Sequence, residues 1–218
     1  RAVAQHQSYC AALAALGLTV LRLPADPGYP DCCFVEDTAV VLDEVAVIAS
    51  PGVASRRGET ALIASTLAGY RPLVHLELPA TLEGGDVLQV GRRLFVGRTT
   101  RTSDAGIAAL AAAVAPWGYQ VVPVAVSGCL HLKSAVTAVD EQTLLANSAL
   151  FDRTAVAGLR VLEVAPEEPG AANVLGVRGS LLCHAGYPRT AERLVAAGYT
   201  VTPIDISEFL KAEAALTC

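Results

Sequence analysis

The 218 residues, 53% hydrophobic and 17% charged, suffice for one large domain or two small ones and for a sizeable buried core. The most apolar stretches are broken by Gly, Pro, Arg or Asp well short of a bilayer span, and the polar first residues carry no cleavable signal pattern. A net charge of −5, with Lys and Arg scattered rather than gathered in a stripe, argues against a nucleic-acid partner.

In chain order, a helix is expected over 4–16, with its apolar residues mostly on one side. It runs into Gly17 and a strand-like segment, 17–23. The same arrangement of a glycine at a helix end followed by a short apolar strand returns at 69–76, 118–124, 158–164 and 198–205. Between these markers lie pairs of β-rich runs joined by polar or Gly turns: 38–42 with 45–50, 86–90 with 94–97, 134–139 with 143–147, and 173–177 with 180–184. Helices are expected over 57–68, 104–115 (with Ser103 and Asp104 at its start) and 190–197. The unit is therefore strand, hairpin, helix, repeated about five times. The fifth unit has a strand and then 207–215, but no hairpin. A closed radial repeat is favoured, because closure removes sheet edges.

Four short motifs carry the chemistry. Asp31, Phe34, Glu36 and Asp37 place three acids around an aromatic ring at the end of an expected strand, a setting for a cationic ligand. Glu83-Gly84-Gly85-Asp86 puts two glycines between two acids, where close backbone approach is needed or the chain simply enters a strand. His131 and Lys133 would share one face of a strand. Leu216-Thr217-Cys218 supplies a thiol. Taken together, a Cys, a His and a carboxylate are the parts of an activated nucleophile with an oriented base. Six cysteines without paired zinc-type spacing, and only four histidines, fit an intracellular, cytoplasmic chain with reduced thiols. Cys32 and Cys33 are expected in strand core. Cys10, Cys129 and Cys183 are expected to be small buried hydrophobes.

With these motifs in this order and spacing, together with Val96 to Thr102, the chain resembles the dimethylarginine dimethylaminohydrolases of the guanidine-modifying, or pentein, superfamily. The resemblance implies an α/β fold, a five-bladed propeller of ββαβ repeats around a central active site. It also implies hydrolysis of Nω-methylated L-arginine without cofactor or metal. Residue by residue, it implies Cys218 as nucleophile, His131 as general acid and base, and Glu83 as the carboxylate orienting His131. Asp37, with Glu36 beside it, would meet the guanidinium. Arg56 and Arg101 would clamp the substrate carboxylate, Asp31 would contact the α-amino group, and Phe34 would wall the pocket. The whole of 1–218 is then expected to be one catalytic domain lacking the first strand and lid and the strand after Cys218. Glu213 and Ala214 stand where the family often has Gly. No membrane contact is expected, and a homodimer is the assembly considered. Lys133 stands where the superfamily's deiminases and amidinotransferases carry an Asp. An ammonium accepts no hydrogen bond, which favours an alkylated guanidinium edge, unless Lys133 instead pairs with a neighbouring acid. The alternatives are an arginine deiminase-like hydrolase and a guanidine-binding protein without turnover.

Overall fold

The computed structural model describes residues 1–218. Helix α1 (Ala2–Ala15) opens the chain and ends in a Schellman closure. Leu18 N–H donates to Leu13 O, Gly17 N–H donates to Ala14 O, and Gly17 sits at φ +82°. The extended segment 17–23 then forms no strand.

The repeat is otherwise built as the sequence implies. Four three-stranded sheets share one topology, in which an antiparallel hairpin is joined by a return strand running parallel to its second arm. The first contains β1 (Ala39–Val41) and β2 (Ala46–Ile48), then α2 (Thr60–Leu67), then β3 (Leu73–His75) alongside β2. The second contains β4 (Val87–Val90), β5 (Arg93–Arg98), α3 (Asp104–Val114) and β6 (Gln120–Ala125). A four-residue helix, α4 (Leu132–Ala135), leads into β7 (Val136–Ala138) and β8 (Thr143–Ala146). Their return strand β9 (Arg160–Glu163) arrives through a 3₁₀ turn over Arg153–Val156. The last contains β10 (Leu175–Val177), β11 (Ser180–His184), α5 (Pro188–Ala196) and β12 (Thr200–Ile204), followed by α6 (Ser207–Leu210). Parallel return demands a crossover segment, which explains why helix and turn signals alternate with the hairpins.

Local chemistry fixes the ends. Ser103 caps α3 by accepting the Gly106 N–H at 3.1 Å. Gly118, Gly158 and Gly198 precede their strands with φ of +75°, +89° and +96°. Gly69 differs: it keeps negative φ, and the chain turns instead through Tyr70 N–H to Leu67 O. Glu213 has φ +57°, a left-handed backbone that L side chains seldom adopt.

The chain forms two compact units: Arg1–Pro24 with Ser134–Ser148 and Leu159–Thr217, and Ala25–Lys133 with Ala149–Gly158 and Cys218. The second unit is packed around Val45, Val47, Leu82, Leu94, Val96, Leu110 and Val114. In the first, Leu145, Val174, Leu181 and Leu194 form one cluster, and Leu182, Ile204 and Leu216 form another against Tyr9 and Leu13 of α1. No helix is long and apolar enough to cross a membrane.

Candidate active site

The chemistry-bearing groups gather in the second unit. Leu82 bridges to Ser50, and the chain then turns tightly through Gly84–Asp86. Glu83, at the head of that turn, is fully buried. Its Oε2 lies 2.8 Å from His131 Nε2, and its Oε1 accepts from Gly52 N–H at 3.2 Å and Arg101 Nη1 at 3.5 Å. Glycine is required at both following positions. A Cβ on Gly84 would stand 2.0 Å from the Glu36 carbonyl oxygen. One on Gly85 would stand 2.7 Å from both Asp37 Oδ1 and His131 Nδ1. The close approach lets Gly85 N–H donate to Asp37 Oδ1 at 3.0 Å. The two-glycine motif is thus what brings Asp37, Glu83 and His131 together.

Two expectations about local structure are corrected. Asp37 does not end a strand. It lies in a 3₁₀ turn over Val35–Thr38, closed by the Thr38 hydroxyl donating to Val35 O at 2.7 Å. His131 and Lys133 do not share a strand face either. His131 immediately precedes α4, and Lys133 lies within it. The same loop accounts for Cys32 and Cys33, which are half-buried and exposed rather than strand core.

Arg56 is held by neighbouring groups of the protein. It is buried, and its Nη1 donates to Asp37 Oδ2 at 2.6 Å. Nε and Nη2 grip Glu59 Oε2 at 3.0 and 2.8 Å, and Nη2 also reaches the carbonyls of Phe34 and Asp31 at 3.2 and 3.5 Å. One planar fork therefore pins the whole 31–37 segment. Lys133 Nζ pairs with Glu36 Oε1, so it does bond a neighbouring acid. Asp31 and Phe34 are half-buried on the pinned loop, and Arg101 keeps about a quarter of its side chain exposed, at 24%.

Burial alone would discharge His131. The hydrogen bond to Glu83 and the charges of Asp37, Asp86 and Glu83 outweigh it, and hold the imidazole above its ordinary range. Burial pushes the Cys129 thiol up, and the Cys183 thiol to about 11, so both are poor nucleophiles near neutrality. Cys218 is a half-buried thiol outside any disulfide, and it packs with the unit carrying Glu83 and His131.

Asp37, Glu83 and His131 offer atoms within 4.8 Å of one another, close enough to surround a cation. Each carboxylate oxygen already accepts from Arg56, Arg101, His131 or a backbone N–H, so the arrangement suits proton transfer and guanidinium binding better than a metal. A cavity of about 290 Å³ in the other unit, lined by Leu145, Val161, Leu162, Glu163, Arg193 and Leu194, brings no such constellation together. Gly52 and Glu59, which lie in none of the sequence motifs, complete the network with Thr99 and Thr102 of the 96–102 stretch. Only tertiary contact reveals them.

No family model matches the chain. Across all 218 residues, however, it is 43% identical to the N(G),N(G)-dimethylarginine dimethylaminohydrolase of Streptomyces coelicolor, covering 84% of that protein. It is 33% identical to the Pseudomonas aeruginosa protein of the same name, covering 87% of it. The chain belongs to the dimethylarginine dimethylaminohydrolase family. Its fold agrees with this. It superposes on the P. aeruginosa family member, solved as a cysteine-to-serine mutant with citrulline, with a TM-score of 0.93 over 98% of this chain and 84% of that one. At 23% identity it also shares the fold of the N-terminal domain of a cyanobacterial arginine dihydrolase, with a TM-score of 0.89. The α/β pentein fold with repeated ββαβ-type sheets is thereby shown, and the chain is a hydrolase of guanidino groups on arginine derivatives.

Proposed function

We propose that the chain hydrolyses Nω-methylated L-arginine, both asymmetric dimethylarginine and monomethylarginine, to citrulline and dimethylamine or methylamine. The observation that carries this reading is the buried Glu83–His131 hydrogen bond with Asp37 Oδ1 3.9 Å from the same imidazole nitrogen. The Cys218 thiolate attacks the guanidinium carbon. His131 gives its proton to the departing amine, and an amidino thioether (a thiouronium) remains on sulfur. His131 then takes a proton from water, the hydroxide adds to the same carbon, and the thiolate leaves as the ureido group forms. Asp37 has lone pairs left beyond Gly85 and Arg56, and these take the guanidinium N–H groups. Arg101, with its exposed edge, meets the substrate carboxylate. Asp31 meets the amino group, and Phe34 walls the pocket. Arg56 acts by holding Asp37 rather than by clamping.

Because Lys133 pairs with Glu36, its presence does not by itself favour an alkylated edge, and the choice of a methylated substrate rests on the likeness to the dimethylarginine dimethylaminohydrolases.

Citrulline release from asymmetric dimethylarginine and from arginine is the test, with wild type and Cys218→Ser side by side. Turnover of the methylated substrate alone, lost in the variant, is expected. Turnover of arginine instead makes the chain a deiminase. A folded wild type that turns over neither leaves guanidine binding without catalysis.

A further inference from the structure

Asp86 takes no part in the chemistry above, yet it is fully buried in the middle of the network. An isolated carboxylate there is costly to desolvate, and burial indeed raises its proton affinity. Its oxygens are nonetheless fully used. Oδ1 accepts the backbone N–H of Leu132, the residue directly after His131, at 2.9 Å. Oδ2 accepts the Thr99 hydroxyl at 2.7 Å. Thr99 Oγ1 in turn accepts the N–H groups of Arg101 and Thr102 at 3.1 and 3.3 Å. Thr102 Oγ1 accepts the N–H of Glu83 at 3.2 Å, and its hydroxyl also bonds Asp86. Space for this carboxylate comes from Gly97 on β5, where a Cβ would stand 2.7 Å from Oδ1.

We infer that Asp86 is a positioning residue: one carboxylate that ties the turn carrying His131 to the turn carrying Arg101 and sets both against Glu83. The inference rests on the reading of His131 and Arg101 as proton-transfer and carboxylate-binding groups.

Donor counting supports a carboxylate rather than any polar filler. The Thr99 oxygen already accepts two N–H groups, so its O–H must donate to Asp86. Leu132 N–H is a donor as well. With the Thr102 hydroxyl, three donors thus converge on the two oxygens of Asp86, and an amide at position 86 would turn an NH₂ against at least one of them. The carboxylate also adds charge beside His131. The groups facing His131 are Glu83, Asp37 and Asp86, with Arg101 balancing Glu83 and Arg56 balancing Asp37. Lys133 nearby is paired with Glu36. The Cys129 thiol faces Asp86 and is held neutral by burial.

The test uses the full chain in four forms: wild type, Asp86→Asn, Thr99→Val and Thr99→Ser. The His131 titration is followed by ¹H–¹⁵N NMR of the imidazole, and KM and kcat by citrulline release. Asp86→Asn is expected to move the His131 midpoint to lower pH. Thr99→Val keeps the charge and cuts only the tie to the Arg101 turn. It should leave the His131 midpoint in place and lower kcat/KM by roughly ten- to a hundredfold, mostly through KM, with Thr99→Ser restoring it. A folded Asp86→Asn with an unmoved His131 midpoint overturns the proposal. So does Thr99→Val with unchanged KM, which decides the matter if Asp86→Asn does not fold. The NMR arm needs no turnover, so failure of the substrate assignment shows as an inactive wild type and leaves the titration readable.

Discussion

Glu83→Gln is expected to lower kcat by about 10²- to 10⁴-fold, the range general acid–base catalysis supplies. The amide oxygen can still accept from His131 Nε2. Its NH₂ then faces Gly52 N–H and the Arg101 guanidinium, which are both donors. The variant also loses the strongest influence raising the proton affinity of His131. In wild type the raised proton affinity keeps the acid form needed for amine departure to higher pH than a free imidazole allows. In the variant the alkaline limb of kcat against pH should move to lower pH. The same linkage bears on folding. The folded imidazole has the higher proton affinity, so its contribution to stability is complete below the unfolded imidazole's value. That contribution disappears as pH rises through the raised folded value. Unfolding curves across this window should slope in wild type and flatten in Glu83→Gln. A variant with wild-type kcat and an unmoved pH profile would remove Glu83 from the mechanism.

Arg56→Ala is expected to cost about 3–5 kcal/mol of folding stability, because it leaves two buried carboxylates without their cation. Asp37 and Glu59 have side-chain exposures of only 6% and 2%, which leaves water little room to compensate. The Phe34 and Asp31 carbonyls lose a donor at the same time. Arg56→Lys should recover only part of the loss, since one ammonium cannot replace a fork that serves Glu59, Asp37 and two carbonyls at once. Arg56→Ala with Glu59→Ala should be less destabilised than the sum of the single changes. Urea unfolding of wild type, Arg56→Ala, Arg56→Lys, Glu59→Ala and the double variant measures this. A loss below about 1 kcal/mol for Arg56→Ala would match an exposed pair and contradict the pinning role.

What could be read from the sequence was whatever depends on neighbours in the chain. The hairpins, the start of α3 at Asp104 and the strands after Gly118, Gly158 and Gly198 follow from turn chemistry and periodicity, and each lies where expected. The glycines of Glu83-Gly84-Gly85-Asp86 hinted at close approach, and the Glu36 carbonyl and the His131 ring are what approach. The misplacements come from partners distant in sequence. The 31–37 segment reads as a strand edge until Arg56 and Asp37, 19 residues apart, pin it as a turn. His131 reads as a strand residue until Asp86, 46 residues from Leu132, holds the next amide and a helix starts. The Lys133–Glu36 pair joins residues 97 apart, and local pattern carries no signal for it. Asp86 was visible as the second acid of its motif. Its partners Thr99 and Thr102 lay in the quoted Val96–Thr102 stretch, but their hydroxyls carried no local mark of their role.

The pinned network leaves the site with a charge imbalance. Four buried carboxylates, on Asp37, Glu59, Glu83 and Asp86, face Arg56, Arg101 and, when it is protonated, His131. The empty site thus lacks at least one positive charge, which a guanidinium supplies and a ureido group does not. Hydrolysis erases the charge that held the ligand, so the product loses its grip as it forms. Calorimetry on Cys218→Ser should accordingly find citrulline bound more weakly than dimethylarginine by at least about tenfold, roughly 1.4 kcal/mol. Equal affinities would mean that the excess carboxylate takes up a proton in the empty site. Forward flux would then need no help from electrostatics to clear the product.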